Sequence, residues 1–214
     1  QELALLGVRG SRPARMRRAA LASALLVVAG CSAGDAAVVE PASPHTEAHA
    51  RADEALRTLM TRFWNGPAGF FDRATIIHGF PASYWNAAQT FDALIDGAER
   101  THGTAHAGLV DTFFRAQDAR GWSAGLYDDK NWMVMALMRA YDLSGDAKYL
   151  SRARAIYDDI LAAWDTTCCG PNPGGIWWDV ARTGKATASN GGPAIAAARL
   201  FTRTGDAKYL DMAR

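Results

Sequence analysis

From about residue 48 onward, apolar residues recur every three to four positions, the spacing of helices with one buried face. "HTEAHARADEALRTLMTRFW" sets Ala55, Leu59, Met60 and Phe63 on one stripe. "PASYWNAAQTFDALIDGAERT" repeats the theme with Trp85, Ala88, Phe91, Leu94 and Ile95. Four more stretches follow: "AHAGLVDTFFRAQ", "WMVMALMRAYDLSG", "AKYLSRARAIYDDILAAW" and "GGPAIAAARLFTRTG". No convincing run alternates apolar and polar residues as a strand would, so the pattern predicts an all-α protein.

An internal repeat organises these helices. "RAYDLSGDAKYLSRAR" at 139–154 recurs as "RLFTRTGDAKYLDMAR" at 199–214, with "GDAKYL" identical and 60 residues apart. Each copy reads as a helix end, a glycine C-cap, an aspartate near the next N-cap and a new helix. A weaker copy lies at 93–113. Two helices per 60 residues suit a toroid of helical hairpins, the (α/α)6 barrel, whose inner helices line a central cavity. Three hairpins and an opening helix can be counted, and the chain ends in the first turns of another. The expectation is the N-terminal part of a larger domain, spanning 48–214.

The N-terminal segment reads differently. Met16 begins a basic pair, Arg17–Arg18, an apolar run from Ala19 to Ala29, and small residues leading to Cys31. That order is a targeting segment, too short to span a membrane stably. "VAGC" at Val28–Cys31 fits a lipobox with Cys31 as the lipidation site, and an ordinary cleaved signal peptide is the alternative. Residues 1–31 are therefore expected to direct export, with the true start near Met16. Residues 32–47, small, polar and Pro-containing, then form a tether. The protein is expected outside the cell, lipid-anchored to the outer side of the membrane or secreted.

A formal net charge of +1 excludes the basic balance of a nucleic-acid binder. Seven tryptophans in a near-neutral chain suggest sugar binding, although each could equally be core. Cys168 and Cys169 are adjacent, a placement that seldom allows a mutual bond without strain, and no Cys/His spacing for zinc exists. They read as packing residues or free thiols. No metal and no organic cofactor is expected.

The candidate chemistry begins at "YDDKNW". One aspartate at a helix start needs no explanation beyond capping and the helix dipole. Two adjacent carboxylates, Asp128 and Asp129, admit a second reading: one ionised nucleophile and one protonated general acid. Retaining glycosidases hold such a pair about 5–5.5 Å apart, and neighbours at a loop-to-helix junction can meet that separation.

Four ordered blocks, covering nearly all of 63–214, resemble glycoside hydrolase family 76, the bacterial and fungal endo-α-1,6-mannanases. They are "FWNGPAGFFDRA", "SYWNAAQTFDALID", "YDDKNWMVMALMRAYDLSGDAKYL" and "CCGPNPGGIWWDVARTGKATASN". The resemblance implies a retaining endo-α-1,6-mannosidase on an (α/α)6 barrel, with Asp128 as nucleophile and Asp129 as general acid/base. It further implies that Trp132, Trp177 and Trp178 shape the sugar cleft, one of the last two serving instead as a loop anchor. Asn86, Asp179 and Asn190 become candidates for hydroxyl recognition, and Tyr127 for orienting the pair. The implied partner is an α-1,6-mannan or a lipomannan-type backbone, with membrane contact only through the lipid anchor. The family's second Trp after the pair is Met133 here, a stacking platform lost, and Gln89 and Ala186 replace two of its asparagines. Two other readings stay open: another (α/α)6 sugar enzyme, or a non-catalytic carbohydrate-binding or cell-wall assembly protein. His45, His49, His78, His102 and His106 all precede the pair, which disfavours a histidine-dependent epimerase.

Overall fold

The computed structural model describes residues 44–171 and 173–213. The targeting segment, Cys31 and residues 32–43 lie outside them. The last residues assigned to the tether are already helical, because α1 spans Pro44–Phe63.

Three short strands follow: β1 (Trp64–Asn65), β2 (Phe70–Ala74) and β3 (Ile77–Pro81), paired antiparallel in that order. The helices come next in chain order: α2 (Tyr84–Arg100), α3 (Ala107–Arg120), α4 (Tyr127–Ser144) and α5 (Ala147–Leu161). A two-stranded hairpin, β4 (Trp164–Asp165) with β5 (Gly175–Ile176), then precedes α6 (Thr187–Thr204) and α7 (Ala207–Met212). The fold is mostly helical, as expected, and these short strands were not anticipated. They are two to five residues long, below the length at which alternation can show.

Helix α4 packs against α2 on one side and α6 on the other, while α3 packs on α2, α5 on α4 and α7 on α6. Thus α2, α4 and α6 form an inner layer, and α3, α5 and α7 an outer one. The inner helices run parallel: Arg139, late in α4, pairs with Asp92, Asp96 and Glu99 of α2, and Arg203, late in α6, pairs with Asp142 of α4. Their N-termini therefore share one end of the assembly. This is one side of the expected helical-hairpin toroid.

The repeat explains its regularity. Gly145 and Gly205 close α4 and α6 with φ of 70° and 68°, left-handed backbone that glycine adopts without steric cost. Asp146 and Asp206 cap the following helices, each accepting the N–H of the lysine two residues on, at 3.0 and 3.1 Å. Those lysines reach an acid on the preceding outer helix, Lys148 to Asp111 and Lys208 to Asp158. Tyr149 and Tyr209 are buried beneath them. One hexapeptide thus makes the same turn, the same cap and the same lateral contact twice.

The core lies between the layers and is built from Phe91, Leu94, Ile95, Leu137, Met138, Ile160 and Leu200, all fully buried. Phe91 stacks on Phe113 with ring centroids 4.6 Å apart, tying α2 to α3. Burying each such side chain contributes roughly 1.5–3 kcal/mol. Two stripe assignments change. In α1 the buried position is Leu56, with Ala55 exposed, because Leu56, Leu59, Met60 and Phe63 share a face at helical spacing. In α2, Trp85 is half exposed rather than buried. Met133 is fully buried, so residue 133 is a core position in this chain.

Candidate active site

The first turn of α4 is held from outside rather than capped by its own aspartates. Its N-cap, Leu126, is extended and makes no side-chain cap. Leu126 bridges Asp179, the Tyr127 N–H donates to the Trp178 carbonyl at 2.9 Å, and the Val180 N–H donates to the Gly125 carbonyl at 3.0 Å. Neither member of the pair is the N-cap, which corrects the capping explanation. Both lie in the positive first turn of the helix, where negative charge is favoured.

Asp128 and Asp129 are both half-buried, yet their surroundings differ. Asp128 accepts two N–H donors, the Asp129 backbone at 2.9 Å and the Trp178 indole at 3.2 Å. An acceptor-only pattern of that kind fits a carboxylate anion. Asp129 has its pKa raised, first by burial and then by the charge of Asp128 beside it. The neighbouring Lys130 does not neutralise the pair. Its ammonium is buried, lies 4.4 Å from the Tyr127 ring centroid and bonds to Asp159 at 2.6 Å. The two adjacent carboxylates therefore sit in different surroundings.

The other residues singled out from the sequence fall into two groups. Trp132 and Trp178 are 48% and 40% exposed beside Asp128, a geometry open to stacking on the apolar face of a sugar. Trp177 is buried, with the Lys185 ammonium 5.1 Å from its ring, and anchors the loop. Asn190 commits its whole amide to structure: Oδ1 accepts the Ile176 N–H at 2.8 Å, and Nδ2 donates to the Ile176 and Ala186 carbonyls. Asp179 accepts the N–H and hydroxyl of Thr183, bonds that lower its pKa and shape the 179–183 turn. Tyr127 contributes its backbone N–H and packs its ring on Lys130. Asn86, exposed in the first turn of α2, lines a separate cavity of about 210 Å³ with Asp72 and Gln89.

The loop that delivers Trp178 is built around Lys185. Its ammonium donates to the Asp165 carbonyl at 2.8 Å, the Asp165 carboxylate at 2.9 Å, and the carbonyls of Cys168 and Pro173. The Cys168 N–H and Lys185 together hold the Asp165 carboxyl well below the usual range. Cys168 and Cys169 are paired as a disulfide, a state the sequence leaves open.

Beside Asp128 opens a cavity of about 250 Å³ between α4 and α6, walled by Asn131, Trp132, Met135, Gly192 and Ile195. Deeper between the inner helices, a space of about 550 Å³ shares Trp132 and Met135 and ends in the Arg139, Arg199 and Arg203 guanidinia among carboxylates. Asn131 and Gly192 were not among the residues picked from the sequence. Asn131 stands three residues after Asp128 on the same side of the helix, a spacing that could have flagged it.

Residues 47–214 match the family model described as glycosyl hydrolase family 76. The chain belongs to glycosyl hydrolase family 76. Among its family relatives is a Schizosaccharomyces pombe protein assigned as a mannan endo-1,6-α-mannosidase, 24% identical over 180 residues, covering 76% of this chain and 40% of that protein. The solved structure of the α-1,6-mannanase GH76A of Salegentibacter sp. HEL1_6 superposes with a TM-score of 0.67 at 25% identity, covering 76% of this chain and 47% of that one. An inactive variant of that enzyme, with two consecutive aspartates replaced by alanine and α-1,6-mannotetraose bound, superposes at 0.68 with 23% identity and the same coverage. This family 76 chain spans less than half the length of these relatives. Over that span it carries the family's (α/α)6 architecture, as the repeat and the helical periodicity predicted.

Proposed function

We propose that this protein is a retaining endo-α-1,6-mannosidase acting on α-1,6-linked mannan or a lipomannan-type backbone. The observation that carries the reading is the asymmetry of the pair: Asp128 accepts two N–H donors, while burial and the Asp128 charge raise the Asp129 pKa. The inactive Salegentibacter variant supports it, because two consecutive aspartates are the residues replaced there.

In this mechanism Asp129 protonates the glycosidic oxygen as Asp128 attacks the anomeric carbon. The C–O bond to the leaving sugar breaks and a mannosyl–Asp128 ester forms. Asp129, now ionised, takes a proton from water, whose oxygen displaces Asp128 and restores the starting protonation states. Trp132 and Trp178 supply stacking surfaces for the sugars on either side. Export with lipid attachment at Cys31 would place the enzyme on the outer side of the membrane, where polymeric mannan is accessible.

Reducing-end release from linear α-1,6-mannan tests the proposal. Asp128→Asn should abolish release, by about 10³-fold or more, while still binding α-1,6-mannotriose. A variant that hydrolyses as the parent does would remove Asp128 from the mechanism. Absence of hydrolysis by the parent, with binding intact, would favour a carbohydrate-binding role.

A further inference from the structure

We propose that Asn131 is a substrate-binding residue, its amide, seated where Gly192 leaves room for it, hydrogen-bonding a ring hydroxyl of the mannosyl unit beside Asp128. The inference rests on the glycosidase reading and adds a recognition residue to it. Asn131 lies one turn beyond Asp128 on α4 and is only 5% exposed. Its Oδ1 is buried without a hydrogen-bond partner. More than about nine in ten buried polar groups in folded proteins are paired, so an unpaired amide oxygen on a residue that lines a cavity needs a reason. A ligand that supplies the missing bond is such a reason.

Asn190 provides the contrast within the same molecule. It lies in the first turn of α6 facing β5, and both ends of its amide are bonded to the backbone of Ile176 and Ala186 at 2.8–3.2 Å. Asn131 has no comparable structural employment. Its Nδ2 faces Gly192 of α6, where a Cβ would stand 2.5 Å away. Glycine is a poor helix former, so its presence inside α6 also calls for a local cause. The missing methyl at residue 192 leaves the room that the Asn131 amide itself occupies at the edge of the cavity.

The cavity chemistry narrows the ligand. Trp132, Met135 and Ile195 give it apolar walls, Asp128 gives it one carboxylate, and Asn131 adds a neutral group. An amide both donates and accepts, matching a sugar hydroxyl, which does the same. It has no charge with which to select an ionic substituent. A neutral pyranose with an apolar face fits this combination.

The test is calorimetric titration of the protein with α-1,6-mannotriose, read beside the thermal midpoint. Asn131→Ala should weaken binding by about tenfold or more without lowering Tm, because the lost oxygen has no partner in the unliganded protein. Gly192→Ala should weaken binding too, by pushing the amide into the ligand space. Asn131→Ala that binds as the parent does would overturn the inference and leave the catalytic proposal standing. A several-degree fall in Tm with unchanged affinity would assign Asn131 a structural role and overturn it equally. No binding by the parent would sink both proposals. Weakened binding by the variant, with no hydrolysis by the parent, would keep Asn131 and remove the enzyme.

Discussion

Asp129→Asn is expected to slow hydrolysis of unactivated mannan by about 10²–10⁴-fold, the usual contribution of a positioned general acid. The loss should shrink on an aryl α-1,6-mannobioside with a dinitrophenyl leaving group, which departs without a proton. The subsequent hydrolysis of the ester would then limit the rate, and added azide, needing no general base, should restore turnover as a glycosyl azide. The pH dependence has a definite sign. Burial and the neighbouring Asp128 charge raise the Asp129 pKa, so the residue keeps its proton to higher pH than an ordinary aspartate. Activity should fall as pH rises through that raised pKa, and this alkaline limb should be missing from Asp129→Asn. Steady-state kcat and kcat/KM against pH, for both substrates and with and without azide, check all four expectations. A variant equally slow on both substrates, with no azide rescue, would mean that residue 129 does not act through proton transfer.

Lys185→Met is expected to open the 165–176 loop and to cost activity although the substituted residue makes no contact with the carboxylate pair. The side chain is 12% exposed and fills a cage of three carbonyls and the Asp165 carboxylate. Methionine keeps much of the volume and supplies no donor. Each buried carbonyl left unpaired costs about 1–3 kcal/mol, so the loop gains more by exposing its carbonyls to water than by staying closed. The consequence travels a short way along the backbone. Trp178 is fixed by its N–H to the Gly184 carbonyl at 2.8 Å and by its own carbonyl to the Tyr127 N–H at 2.9 Å, one residue from Asp128. A loosened loop therefore relaxes both the Trp178–Asp128 bond and the start of α4. Hydrogen exchange should show lost protection in 163–185 and at the α4 N-terminus, with the α2–α5 core unchanged. Unaltered protection there would show that the cage is dispensable.

Much of the fold is legible in the sequence because it rests on local rules. Helical spacing locates α2 through α6, and the glycine–aspartate pair in each copy of "GDAKYL" marks where one helix ends and the next begins. Leu56 and Ala55 show the limit of that reading. Adjacent apolar residues differ by 100° around the helix, and only packing against α2 decides which is buried. The short strands were hidden for another reason, since two to five residues pair only once the helices have brought them together.

The site divides in the same way. The Asp128–Asp129 pair stands out in the sequence as two adjacent charges at a helix start. The difference between them is set by Trp178, fifty residues downstream, and by burial. Trp177 and Trp178 are chemically identical neighbours, and the alternation of an extended segment sends one into the core and leaves the other exposed beside Asp128. The spacing from Asp128 hints at Asn131, and the residue stands out once Gly192 is seen opposite it and its oxygen is seen to lack a partner. Asn190 is the reverse case, a polar residue that suggested recognition and is consumed by the backbone of β5 and α6.

The central claim is that the adjacent carboxylates act by double displacement, and the stereochemistry of the first product tests it most directly. Proton NMR of linear α-1,6-mannan during its first minutes with the protein would follow the anomeric signals of newly formed reducing ends. The account predicts that the α-anomer appears first and the β-anomer grows in later by mutarotation. Initial release of the β-anomer would mean direct displacement by water, and would contradict a covalent role for Asp128.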